Sequence, residues 1–476
     1  MRLYTTILCA GCACVLFLLG MPGGIAYAAG APGGFIETPA TAQGRPLLSS
    51  SQIESLLPNR GKFTFPAPYN TEAFRLTNPS DCGGNDCVHY VGYSYWRNTN
   101  NHVGQDTMLI LVGLRRTQGG SGPSLVAYNK VTDQIEPLGP IFNQNSSFSW
   151  ANAEGMYFSG TLPTALYVVE GSRLLRHDVL NGSSETVFDV SAELGGGYRI
   201  FQAHSSDDDR VHSATLQNSA YQSLGCVVYR EDRDEVLVFN RQGNFDECQV
   251  DRSGDWLVIK ENVDGQAGED NRIINLDTGN ERVLYDQNGA GGHSDLGHGY
   301  MVAADNWAND ANTQKLWKFD GPLQGTPVYN NDDWSAQAPA HVSHTNSIPG
   351  VSAENQYACG SSANSRTSTH ANEVVCFPLS GTKETLVVAP VMTSLSAGGG
   401  GDTYGKSPKG NLDVTGRYFI WTSNMRSDRL DVFLVKVPAH LLTGEEPEPV
   451  PPPPPPPPEP TRPPLIFKDN FETDPA

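Results

Sequence analysis

The chain holds 476 residues, 49 of them glycine and 34 proline, with few stretches of helical period; that length exceeds what one hydrophobic core serves and suits many short strands joined by turns. Against 52 acidic side chains stand 32 basic ones, a formal charge of −20, and no run of Lys or Arg is present to neutralise a phosphate backbone. Nucleic acid is thereby excluded as a partner, and an acidic polysaccharide is admitted only where a local basic funnel overrides the overall field.

Residues 1–28 read as a secretory signal peptide: Arg2, an apolar run over 7–19, then Ala26-Tyr27-Ala28 as a small-residue cleavage site. The run is too short to span a bilayer and no later segment approaches the length needed. A secreted or periplasmic protein without a transmembrane segment is expected. An N-terminal extension over 29–87 precedes a repetitive region over 88–440, in which seven strand-rich units run 106–142, 150–190, 198–240, 247–286, 293–329, 341–388 and 411–437. One phrase recurs there: DVTGRYFIWTSN at 413–424, DRSGDWLVIKEN at 251–262 and, in its second half, HGYMVAADN at 298–306. Each copy sets Gly at a tight turn and follows it with β-branched and aromatic residues in a strand. A strand-built repeat of about forty to fifty residues means the blades of a propeller. The expected fold is all-β, a seven-bladed β-propeller of four-stranded antiparallel blades, closed by an N-terminal strand and acting as a monomer. The seventh unit is short, so the segment VHYVGYSYW at 88–96 is expected to complete it. Beyond the propeller, 441–464 is a proline-rich linker, stiff because proline has no amide to donate. It leads to a short tail, 465–476, whose IFKDNFE resembles the IF-x-DGFE ending that follows proline-rich spacers in secreted proteins, with Asn470 where Gly is usual.

Cys9, Cys12 and Cys14 leave with the signal peptide, and the CAGC they form lacks the His of a haem attachment site. The six that remain favour disulfides in an exported chain, paired by proximity as Cys82 with Cys87, Cys226 with Cys248 and Cys359 with Cys376. A zinc site is the rival, but no two short Cys pairs lie at finger-like spacing. No GxxxxGK[ST] and no GxGxxG opening a helix occurs, so no nucleotide is expected; the absence of G-x-S-x-G leaves a serine hydrolase unsupported. The acidic stretches DDDR at 207–210 and DGQAGEDN at 264–271 lack the residue order of a calcium loop and read as solvated loops. GGGGD at 398–402, followed by Lys406 and Lys409, reads as a loop entering the seventh blade, either folded over the funnel or simply long.

Four of the 11 histidines fall at equivalent points: His204 in IFQAHSS, His293 in GGHSD, and His341 with His344 in AHVSH precede or begin the innermost strand of a unit. In a propeller those strands converge on a central channel, so positions far apart in sequence become neighbours. Imidazoles gathered in this way, with Asp295 and Asp305 nearby, suit a divalent metal, Mn, Zn or Ca. The alternative is a set of hydrogen-bonded strand-end residues that bind nothing.

The blade phrases at 413–418 and 251–256 resemble those of TolB-type propellers, in which an SPDG-like turn precedes the strand. A narrower resemblance is to the oligogalacturonate-lyase-like propellers. It implies a divalent metal in the central funnel, held by His293 and by a Gln/His cluster matching Gln337, His341 and His344. The family's cluster is Gln-x-x-His-x-His, whereas this chain has Gln-x-x-x-His-x-x-His. Two functions follow. One is a polysaccharide lyase acting on a uronate-containing glycan by β-elimination, with metal at His293, His341, His344 and Asp295, His204 or His212 as the base, and Arg210 or Arg230 as a substrate clamp. The other is a non-catalytic exported propeller that binds a glycan or a cell-envelope protein through the same mouth.

Overall fold

The computed structural model describes residues 31–89, 93–143, 155–305, 313–330, 341–382 and 384–444. The signal peptide, nearly all of the proline-rich linker, the tail and Gln337 lie outside them; residues 441–443, expected in the linker, belong instead to a short helix, His440–Thr443. Seven antiparallel sheets form the seven blades of a propeller. Blades 3 and 4 illustrate the plan, each a meander of four strands in sequence order: Tyr198–Ser205, Val211–Asn218, Ser223–Arg230 and Glu235–Asn240, then Asn244–Val250, Trp256–Asn262, Asp270–Asn275 and Glu281–Leu284. Middle strands are apolar on both faces because each blade is covered by its neighbours, as in Thr385–Pro390, all of it buried. The outermost strands meet water, and Glu235–Asn240 is only partly covered. Hydrophobic cores therefore lie between blades. Trp317 and Phe319 of blade 5 pack with Val258 and Ile273 of blade 4, and Trp421 and Phe433 of blade 7 with Val374 and Val375 of blade 6.

The recurring phrase works through its aspartate. Asp413 Oδ1 accepts from the amides of Arg417 (2.8 Å) and Tyr418 (2.7 Å), closing the turn, while Oδ2 accepts from Asn101 Nδ2 of blade 1 at 2.6 Å. Asp251 repeats this: Oδ1 accepts from Trp256 N at 3.1 Å and Oδ2 from Gly299 N of blade 5 at 2.7 Å. Each copy thus shapes its own hairpin and fastens it to the next blade. The turn glycine is obligatory: Gly416 has φ +70°, and a Cβ there would stand 2.0 Å from Tyr357 Oη.

The chain ends close the ring, but through a different segment from the one expected. Glu72–Arg75 pairs with Asp431–Lys436 of blade 7, and Gly61–Thr64 adds a further strand outside it. These strands lie within the region expected to be an N-terminal extension. Phe35–Glu37 adds an outer strand to blade 6. No described residue of 88–96 pairs with a strand of the last blade. Val88 bridges Leu114 and Thr99 bridges Ile110, so the flanks of this segment line the inner edge of blade 1, where 98–101 serve as the fourth and innermost strand. Ten residues lie between Val88 and Thr99 but only three between Ile110 and Leu114. Of the excess chain, residues 93–97 leave the sheet and enter the central channel. All three expected disulfides are present. Cys226–Cys248 joins the third strand of blade 3 to the innermost strand of blade 4, and Cys359–Cys376 joins directly opposed residues of blade 6.

Candidate functional site

Innermost strands begin at one face of the ring and end at the other, so a residue's place along its strand sets its depth. His293 is the third residue of Gly291–Leu296 and His341 the first of His341–Ser343. Their rings meet near the mouth with centroids 4.5 Å apart. Tyr93 lies against both, 5.8 Å from His293 and 5.0 Å from His341, and Tyr404 stands 6.4 Å from His341. Burial, with Lys260 and Lys409 adding like charge, pushes His293 down to about 4, so its imidazole is neutral at physiological pH.

The glycine-rich loop before blade 7 folds inward. Asp402 caps the short helix Thr403–Lys406, and the loop carries Lys409 to the centre with φ +42°, a conformation that non-glycine residues rarely adopt. The Lys409 ammonium sits 3.8 Å over the Tyr404 ring and donates to the Tyr404 carbonyl. Burial, only partly opposed by Asp402, lowers it to about 7. Lys260, also buried, donates to the carbonyls of Gly291 (3.1 Å) and Gly292, which fixes the backbone beside His293. Deeper in, Glu247 accepts from Tyr95 Oη and Gln249 Nε2, both at 2.9 Å, and burial raises it to about 8.

The remaining expected site residues are placed elsewhere. His344 follows its strand's end; its Nε2 pairs with Tyr300 Oη at 2.6 Å and its Nδ1 with the Tyr357 carbonyl at 2.9 Å, so no ring nitrogen faces the His293–His341 pair. Asp295 takes the Arg252 guanidinium at 2.8 Å and accepts from the His344 amide at 2.5 Å. Asp305 is paired with Lys315 at 2.7 Å. His204 is the seventh of the eight residues of Tyr198–Ser205, stacked on Trp96 with centroids 4.9 Å apart, and burial pushes it down to about 3. His212 bonds Ser205 Oγ at 2.7 Å and Glu231 at 3.2 Å. Arg210, in the turn after that strand, is exposed, and Arg230 is held by Asp277 at 2.7 Å. His212, Arg210 and Arg230 belong to the face of blade 3 opposite the mouth, so the structure does not assemble them with His293 and His341.

Below the mouth the channel is closed by side chains. Trp96 Nε1 donates to the Ala203 carbonyl at 2.8 Å, and Asn411 Nδ2 donates to the Ser94 carbonyl at 2.6 Å. Arg97, Arg252 and His298 surround Asp207, whose carboxyl is low because the two guanidiniums outweigh the upward push of burial. A small polar cavity of about 30 Å³, enough for one water, lies among Trp96, His204, Gln249 and Arg252. The arrangement is a shallow aromatic cup with a neutral imidazole and a lysine of low basicity, over a sealed floor.

No family model matches the chain, and no curated protein matches it by sequence. Among solved structures, an oligogalacturonate lyase of Vibrio parahaemolyticus superposes with TM-score 0.56 at 12% identity, over 85% of this chain and 99% of its own. An oligogalacturonate lyase in complex with manganese gives TM-score 0.55 at 13% identity, over 84% of this chain and 100% of its own. TolB from Acinetobacter baumannii gives 0.34 at 8% identity, over 71% of this chain and 82% of its own. At these identities the likeness to the lyases is one of fold.

Proposed function

We propose that this propeller is a metal-assisted polysaccharide lyase acting on a uronate-containing glycan, with its centre at His293 and His341. The observation that carries this reading is the pair of rings from adjacent blades, 4.5 Å apart, with His293 held neutral as a ligand must be. The donor chemistry suits a borderline divalent ion such as manganese or zinc. The fold shared with a lyase that binds manganese agrees. A bound ion would neutralise the uronate carboxylate and so acidify the proton at C5. Lys409 replaces His204 and His212 as the candidate base, because about half of it is unprotonated at neutral pH and its charge is felt by His293. Tyr404, partly exposed, offers the ring face away from Lys409 for stacking on a sugar. Lys260 and Lys409 supply the local positive field that a polyuronate needs against the overall charge of −20.

Export to an oxidising compartment fits the three disulfides, and no helix among the described residues is long and apolar enough to cross a membrane. One observation favours the second reading, a propeller that binds glycan without cleaving it: Tyr93 packs against both histidine rings, on the side where further ligands would approach. Elemental analysis of purified protein, with a scan of uronate polymers for the ultraviolet-absorbing unsaturated product, separates the two. Metal with product, both lost in His293→Ala, is the expected result. Tight glycan binding without product overturns the lyase.

A further inference from the structure

We propose that blade 4 carries a calcium site at its rim, built from Asp264, Asp270 and Asp286 and distinct from the histidine pair. One carboxylate oxygen from each residue lies within 4.8 Å of the other two. The three come from the hairpin loop after Trp256–Asn262, from the start of Asp270–Asn275, and from the turn after Glu281–Leu284. All three positions fall at the face where innermost strands begin.

Asp270 has an evident structural role, since it accepts from the amides of Val263 (2.8 Å) and Asp286 (2.9 Å) and so ties loop to turn. That role does not account for Asp286. Its side chain is only 4% exposed, yet Oδ1 has no hydrogen-bond partner, and no Lys, Arg or His among the described residues pairs with any of the three carboxylates. A buried carboxylate oxygen without a donor costs several kcal/mol unless a cation completes it. The loop is also shaped to lie on this group. Gly268 adopts φ +127°, and a Cβ there would stand 1.5 Å from Asp286 Oδ2. An all-oxygen set of carboxylates selects a hard ion, and calcium rather than the imidazole-preferring transition metals. The ion would clamp the loop to the turn that leads into the strand bearing His293, a turn already held where Asn271 Oδ1 accepts from Gly291 N at 2.8 Å.

This site does not rest on the lyase reading, and its test is separate. The exported protein, stripped with chelator, is titrated with calcium chloride by calorimetry, and its thermal unfolding is followed with and without calcium. One site with a Kd on the order of 10⁻⁴–10⁻³ M and a rise in melting temperature are expected. Terbium used as a calcium substitute should luminesce through Tyr285, and calcium should quench the signal. Asp264→Asn, at an exposed position and keeping the side chain's size and an acceptor oxygen, should weaken calcium at least about tenfold, roughly what losing one charged ligand costs. His293→Ala should leave calcium binding unchanged. Asp286→Asn should abolish it; should that variant fail to fold, Asp264→Asn and the wild type decide. No heat and no thermal shift in the wild type at 10⁻² M calcium, or undiminished binding in Asp264→Asn, overturns the proposal.

Discussion

A lysine that is half unprotonated at neutral pH is made by desolvation, and Lys409 is such a lysine, proposed above as the base of the lyase. Because the base form must be free to take a proton, turnover should rise as pH climbs through about 7 and level off above it. Lys409→Arg should remove this limb and cut kcat by about 10²–10⁴ with KM little changed, read from product absorbance between pH 5.5 and 9. A limb that survives the substitution assigns the base elsewhere. Glu247 makes the opposite kind of statement. Its folded value is raised to about 8, so between the ordinary carboxyl range and 8 the folded state keeps a proton that the unfolded chain has released. Its contribution is therefore whole at low pH and lost as pH rises across that window, by up to about 1.4 kcal/mol per unit. Urea midpoints of the wild type should fall from pH 5 to pH 8 by more than those of Glu247→Gln; parallel curves count against it.

At the scale of elements, the interrupted inner strand of blade 1 decides what kind of channel this is. Trp96 is buried, stacked on His204 and bonded to blade 3. Trp96→Ala should cost about 3–5 kcal/mol and open the floor, seen as a lower melting temperature with dye entering the channel. The same element explains what the sequence revealed and what it hid. Histidines at strand entries were legible because the repeat sets their phase, and His293 with His341 did converge. His344 did not, since three residues along an extended strand carry a side chain some 10 Å deeper. The segment 88–96 alternates aromatic and small residues as a strand would, but its Tyr93, Tyr95 and Trp96 serve the channel. The strands that do close the ring, GKFT and EAFR, are four residues each, too short to declare a period. Lys409 and Glu247 were illegible for another reason: their chemistry comes from burial, which only the assembled ring supplies.

On the scale of the whole molecule, neighbouring blades are joined by few covalent means, and Cys226–Cys248 is the one disulfide that crosses between two of them. Replacing both by serine should lower stability by about 3 kcal/mol, the chain-entropy value for a loop of this length, measured by denaturant unfolding without reductant. No loss would mean that packing between blades 3 and 4 already does the work alone.

The ring's fastening also bears on the export proposed for this chain. Arg75 meets its partner Asp431 across 356 residues, and Phe35–Glu37 waits for Thr385–Pro390. Until the last sheet has been synthesised, Glu72–Arg75 lacks its partner strand and the circle stays open. Such a topology postpones its own completion, since long-range pairing is slow to form and a partial ring has exposed edges to shed. In the proposed export, an unfinished circle would pass a narrow pore as a thread and close on the far side, where an oxidising milieu would rivet blade 3 to blade 4.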